Sequence, residues 1–186
     1  MRELEREPRQ RSKIYVIDTG VILLGANLSS LDGDIYAPKE VVEEVKERIL
    51  RAMIDALVAA GVVKIFEPSS VSLRRATDVY NRLGGRGVSK ADLQVIATAL
   101  DLSERGNVVV LTDDYAIQNI LEYLGIRYRS ISQVGIKRLF RWVKLCPACK
   151  SKYEDLSLSK CPACGTELVA VPRRLKRRDK DPDGVK

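Results

Sequence analysis

The 186-residue chain contains no histidine. That absence removes Ser-His-Asp and Cys-His triads, imidazole acid–base catalysis and every His-ligated metal site. Chemistry must run on carboxylates, lysines, hydroxyls, thiols or hard metal ions. No apolar run approaches 18 residues, so no membrane span is expected. The segment Met1–Lys13 alternates Arg and Glu and has no apolar stretch. It therefore does not read as a signal peptide, and a cytoplasmic protein is expected. No internal repeat of domain size is present, and cysteine is absent outside two short pairs.

What the chain does have is unevenly placed. Hydrophobic residues make up 45% and charged residues 31%, enough for one good core plus a small appendage. Residues 1–136 carry 18 Lys and Arg against 19 Asp and Glu, whereas residues 137–186 carry 14 against 6. The net charge of +7 thus belongs to the C-terminal quarter, which points to a dedicated polyanion-binding end.

Two stretches organise the rest. Ile14-Tyr15-Val16-Ile17-Asp18-Thr19-Gly20 and Val108-Val109-Val110-Leu111-Thr112-Asp113-Asp114 are each an apolar run stopped by acids and hydroxyls. Apolar runs without alternation fit strands covered on both faces, hence a parallel sheet. Asn27–Asp34 reads as a polar loop, and Pro38 opens a single helical region through Ala56, with Val41, Val42, Val45, Ile49 and Met53 at helical spacing. A short strand at Val62–Phe66 follows, then a helix toward Leu83, a Gly84-Gly85-Arg86-Gly87 interruption and a helix from Ser89. A helix over Tyr115–Leu124 and a strand over Ile126–Ile131 complete the alternation. The expected fold is a three-layer α/β domain with a mostly parallel sheet. The expected organisation is a charged tail at 1–11, the α/β domain at 12–132, a basic linker at 133–144, a cysteine ribbon at 145–171 and a basic tail at 172–186.

The cysteines form Cys146-Pro-Ala-Cys149 and Cys161-Pro-Ala-Cys164, a C-x2-C-x11-C-x2-C pattern. Each C-x2-C turn brings two sulfurs to one side, and two facing turns complete a tetrahedron around zinc. Gly165 lets the backbone curl under the second pair, while Lys150 stands at the equivalent place after the first. A segment this short and this poor in apolar residues needs metal to supply its folding energy. Four thiolates leave no open coordination position, so this zinc is expected to be structural.

Each acid taken singly has an ordinary explanation as a helix cap. Asp18, Asp113 and Asp114 stand between a strand and a helix, and Ser89-Lys90-Ala91-Asp92 is a capping-box pattern. Glu43 and Glu44 lie on a charged helix, where periodicity alone does not separate them. Jointly the acids mean more. In a parallel sheet all strand-to-helix junctions share one edge, and several carboxylates there repel one another unless a cation holds them. Mg²⁺ or Mn²⁺ takes oxygen ligands and suits phosphodiester substrates.

The strand with Asp18-Thr19-Gly20, the helix Val41-Val42-Glu43-Glu44-Val45, Leu83 to Asp92 with Ser89, and Leu111-Thr112-Asp113-Asp114 together resemble the PIN nuclease domain over about residues 12–132. The resemblance implies an acid cluster that binds Mg²⁺ or Mn²⁺ and cleaves single-stranded RNA. Asp18 matches the family's first acid and Asp92 its third; the second favours Glu44, and the fourth falls at Asp113 or Asp114, with the T-x-D form favouring Asp114. A PIN domain followed by a basic aromatic linker and a CPxC ribbon resembles the archaeal Nob-type endoribonucleases. That implies cleavage of precursor rRNA at the 3′ end of the small-subunit rRNA, with the pre-ribosomal small subunit as partner. Two other readings are a toxin-like nuclease acting on tRNA or mRNA and a non-catalytic RNA-binding assembly factor. Candidate RNA contacts are Arg86, Lys137, Arg138, Arg141, Lys144, Lys152, Arg173, Arg174, Lys176, Arg177 and Arg178, with Phe140 and Trp142 as stacking or interdomain residues.

Overall fold

The structure is a computed structural model that describes residues 13–24, 27–132 and 139–175. The N-terminal tail (1–11) and the candidate contacts Lys137, Arg138, Lys176, Arg177 and Arg178 lie outside the described residues.

The first unit runs β1 (Lys13–Ile17), α1 (Thr19–Leu23), β2 (Gly33–Pro38), α2 (Lys39–Glu44), α3 (Arg48–Ala59), β3 (Val63–Phe66), α4 (Ser70–Arg82), α5 (Lys90–Ser103), β4 (Asn107–Leu111), α6 (Tyr115–Leu124) and β5 (Arg127–Arg129). Its five strands are all parallel, in the order β3-β2-β1-β4-β5. The expected α/β fold is present. β1 is central because its apolar run is buried on both faces, with Val16 and Ile17 fully enclosed. α5 packs on β1, β2 and β4, and its run from Val95 to Leu100 is buried throughout. The chain builds outward from β1 through β2 to β3, then returns to the other side of β1 with β4. In open α/β sheets such a reversal marks a ligand crevice beyond the carboxyl ends of the strands, here β1 and β4.

Two local expectations are corrected. The stretch ending at Asp34 and resuming at Pro38 is strand β2, not a loop running into a helix. Its signal, Ile35-Tyr36-Ala37, is too short for a period, and the pairing of Tyr15 with Ile35 and of Ile35 with Val63 decides it. The single helix expected after Pro38 is two. Val45 is extended, and Glu47 caps α3 by accepting from Ile49 N at 3.1 Å and Leu50 N at 2.8 Å.

The second unit is an antiparallel sheet of β6 (Phe140–Leu145), β7 (Lys152–Tyr153) and β8 (Val169–Arg174), in the order β7-β6-β8. β6 occupies residues read as linker, and Arg173 and Arg174, read as tail, are paired to it in β8. Long-range pairing makes these strands, which the basic composition concealed. The apolar core of this unit is small: Cys146, Cys161 and Leu168, with Tyr153 and Leu158 against them.

β6 also docks on the first unit. Trp142 N donates to Leu83 O at 2.9 Å, and Asn119 of α6 brackets Phe140 with two 2.8 Å hydrogen bonds, one to its O and one from its N. Gly84 makes the approach possible. Its φ is +98°, and a Cβ there would lie 2.5 Å from Trp142 Cβ.

Candidate active site and metal centre

Three acids stand where three helices begin. Asp18 caps α1, its Oδ1 accepting from Val21 N at 2.9 Å. Asp114 caps α6, its Oδ1 accepting from Ala116 N at 2.6 Å and Ile117 N at 3.3 Å. Asp92 closes the capping box of α5: its Oδ2 accepts from Ser89 N at 2.7 Å while Ser89 Oγ accepts from Asp92 N at 3.2 Å. The capping explanation is thus correct for each, and it does not exhaust them. Each cap engages one carboxylate oxygen: Oδ1 of Asp18, Oδ2 of Asp92 and Oδ1 of Asp114.

Their mutual field is visible at Asp18. Burial pushes its pKa up; hydrogen bonds from Thr112 and Val21 oppose this, and the nearby charges of Asp92 and Asp114 push it up further. Thr112, fully buried at the end of β4, is the joint between the acids. Its hydroxyl serves Asp18, and its Oγ1 accepts from Asp114 N at 3.0 Å. Buried Gln118 holds the Thr112 carbonyl at 2.8 Å. Sequence reading missed Thr112 and Gln118 as site residues; a hydroxyl at the carboxyl end of a buried strand was the available signal for the first.

The two open choices separate geometrically. Thr19 Oγ1 donates to Glu44 Oε2 at 3.1 Å, which puts Glu44 one residue from Asp18, while Glu43 pairs with Lys39 at 3.3 Å on the solvent side. Asp113 is bound by the segment that follows β5. Burial would raise its pKa, but hydroxyls of Ser130 and Ser132 and the backbone N–H groups of Ile131 and Ser132 hold it down at about 2. Gly20 leaves room beside the first acid, since a Cβ there would come 3.2 Å from Asp18 Oδ1.

The cysteines close much more tightly. Their four sulfurs lie within 4.8 Å of one another, and among the described residues they form the one such group of three or more ligand side chains. Cys146 and Cys164 Sγ are 3.4 Å apart, and Cys149 and Cys161 Sγ 3.5 Å. Those separations and an all-sulfur donor set fit a tetrahedral site with metal–sulfur bonds of about 2.3 Å. The two knuckles repeat each other: Lys150 N donates to Cys146 O and Gly165 N to Cys161 O, at 3.0 and 2.8 Å. Lys150 takes the left-handed backbone that glycine takes in the second knuckle, with φ of 63° against 75°. Tyr153 OH, 3.2 Å from Cys161 Sγ, holds that thiol down at about 6, while, against the Cys149 N–H, burial and the neighbouring thiols push Cys146 up to about 11.

Comparison with known proteins adds a decisive observation. Residues 15–102 match the family described as PIN domain of ribonuclease. The chain is 34% identical to Endoribonuclease Nob1 of Pyrococcus abyssi over 161 residues, covering 86% of this chain and 94% of that protein. It is 36% identical to Endoribonuclease Nob1 of Archaeoglobus fulgidus over 166 residues, 88% and 93% of the two chains. The chain belongs to the Nob1 endoribonuclease family. A shorter match, 39% identical over 121 residues, covers 61% of this chain and 86% of Ribonuclease VapC3 of Aeropyrum pernix.

A Nob1-family enzyme acts on RNA, and several candidate contacts in this one are already engaged. Arg141 and Arg173 both reach Glu154, at 3.1 and 3.5 Å. Arg86 lies over the Trp142 ring, 5.3 Å from its centroid, so Trp142 is an interdomain residue. Lys152 and Arg174 are exposed and Lys144 is half-buried. Among the described residues, no helix is long and apolar enough to cross a membrane.

Proposed function

We propose that this Nob1-family enzyme is a metal-dependent endoribonuclease that cuts single-stranded precursor rRNA to mature the 3′ end of the small-subunit rRNA. The observation that supports the reading is that Asp92 and Asp114 lie near enough to Asp18 for their charges to raise its pKa, each of the three acids giving one oxygen to a helix cap. Buried Asp18, its charge opposed by its neighbours, is the anchor for a cation. Asp92 and Asp114 face it from α5 and α6, and Glu44 reaches in from α2 through Thr19. Mg²⁺ or Mn²⁺ bound there supplies Lewis-acid stabilisation of the phosphate and lowers the pKa of an attacking water. Thr112 fixes the spacing of Asp18 and Asp114. Asp113 serves the Ser130–Ser132 turn rather than the cation. Zinc in the cysteine site holds the ribbon folded, and the pre-ribosomal small subunit is the partner.

A nuclease of tRNA or mRNA is the rival reading. The ribbon with its basic flanks disfavours it. Cleavage of a precursor fragment spanning the 3′ end of small-subunit rRNA, beside tRNA and mRNA fragments, decides between them. The expected result is cleavage of the rRNA fragment at least tenfold faster, with Mn²⁺ or Mg²⁺ required and Asp18→Asn inactive. Equal rates on all substrates overturn the rRNA assignment; cleavage without added divalent ion overturns the mechanism.

A further inference from the structure

Among the described residues, a cavity opens on one face of the sheet beside β4 and β5. Residues paired in register, Lys13 with Asn107, Tyr15 with Val109 and Val109 with Arg127, share that face. Together with Arg129 they line a shallow cavity of about 690 Å³. Apolar sheet face left open in a folded chain marks an interaction surface. Its lining carries three cations, Lys13, Arg127 and Arg129, against one acid, Glu122 of α6. Arg127 and Arg129 occupy alternate positions of β5, are exposed and point to the same face. Among the described residues the Arg127 side chain makes no hydrogen bond or ion pair. Arg129 lies over the Tyr15 ring at 5.9 Å, a contact that orients the guanidinium and leaves its N–H groups available. Tyr15 is itself fixed, its hydroxyl donating to Asp32 at 2.9 Å while Lys13 Nζ pairs with Asp32 at 2.6 Å.

We propose that this face is a second RNA-holding surface, with Arg127 and Arg129 gripping consecutive phosphates of a strand bound for the acid crevice. Resting on the RNA-cleaving function of the family, the assignment deepens that reading. Two side chains alternating along a strand stand ~7 Å apart, close to the step between successive phosphates of an RNA strand. The direction is also right: β5 is parallel to β4, Arg129 pairs with Leu111, and Arg129 O accepts from Thr112 N, the residue that spaces Asp18 and Asp114. A strand laid along β5 from Arg127 past Arg129 therefore runs toward the catalytic edge. In the ribbon, Arg141 and Arg173 share the single carboxylate of Glu154. Charged residues on an edge strand also deter edge-to-edge aggregation. That role requires no phosphate and predicts no change in RNA affinity.

The test uses the full chain carrying Asp18→Asn, which binds without cutting, and a fluorescein-labelled single-stranded RNA 20-mer followed by anisotropy across a salt series. Adding R127E and R129E is expected to weaken binding at least tenfold at low salt. R127Q with R129Q is expected to flatten the slope of log K against log salt by about 1.4, two phosphate contacts on single-stranded RNA. R127K with R129K, keeping the charges, is expected to restore most of the affinity. The thermal midpoint without RNA and its Mn²⁺-induced rise in the Asp18 parent background serve as fold and metal-site controls. Unchanged affinity and slope in the Gln pair overturn the proposal and leave edge protection, or cover by another protein segment, as the role of these arginines. Because binding is read without cleavage, such a failure leaves the nuclease reading intact. A failure of metal-dependent cleavage likewise leaves this surface standing.

Discussion

At the residue scale, two aspartates at strand ends make opposite predictions. Asp18 has its pKa raised by burial and by Asp92 and Asp114. A raised carboxylate penalises the folded state above its ordinary value of 3.8, and the penalty is relieved as pH falls through the folded pKa. Asp18→Asn keeps an oxygen for Val21 N and removes the charge. The expected outcome is an equal or higher thermal midpoint without metal, no midpoint rise with Mn²⁺, and no cleavage. A midpoint rise with Mn²⁺ equal to that of the Asp18 chain, with cleavage retained, would mark Asp18 as a cap alone. Asp113 behaves in reverse. Its pKa of about 2 stabilises the fold above 3.8, and that stability is lost as pH falls from 3.8 through about 2. Asp113→Ala is expected to cost about 2 kcal/mol, the order of a charged hydrogen-bond set at a partly exposed site. Metal-dependent cleavage by the folded fraction should persist, and denaturant melts beside initial rates check both halves.

At the element scale, β6 is the part whose role changed most. Read as linker, it is the central strand of the ribbon sheet and the edge by which the ribbon sits on the Leu83–Gly84 turn and on α6. Gly84→Ala places a methyl against Trp142 in a backbone conformation that alanine resists. The expected result is loss of the shared melting of the two units: differential scanning calorimetry should show separate transitions, with Trp142 fluorescence shifted to the red. A single unshifted transition would mean that the docking contributes nothing to stability. Asn119→Ala, which removes only the bracket on Phe140, should give the same change in smaller degree.

At the scale of the whole molecule, the two units draw on different sources of stability. The α/β unit has a broad apolar core around β1 and α5, whereas the ribbon has two cysteines, one leucine and flanking side chains. Metal must supply what that small core lacks. A thiol-reactive chelator is therefore expected to unfold the ribbon and release about one zinc per chain, with helical circular dichroism largely retained. A chain that loses its helical signal together with the metal would show that the α/β unit depends on the ribbon.

Much of this was legible in the residues. Unalternating apolar runs stopped by acids implied a parallel sheet with an acidic edge, and the doubled CPxC implied a tetrahedral thiolate site, because both signals are local. The absence of histidine confined the crevice to oxygen ligands. Tertiary structure decided what depends on partners distant in sequence. The bond from Thr19 to Glu44 and those from Ser130 and Ser132 to Asp113 span 25, 17 and 19 residues, separations that no helical or strand period encodes. β2 and β6 emerged only through pairing, since three apolar residues before a proline and a basic run carry no period of their own. The cavity at Arg127 and Arg129 depends on how the described elements pack around β4 and β5. That is a property of packing, which a chain read one residue at a time does not contain.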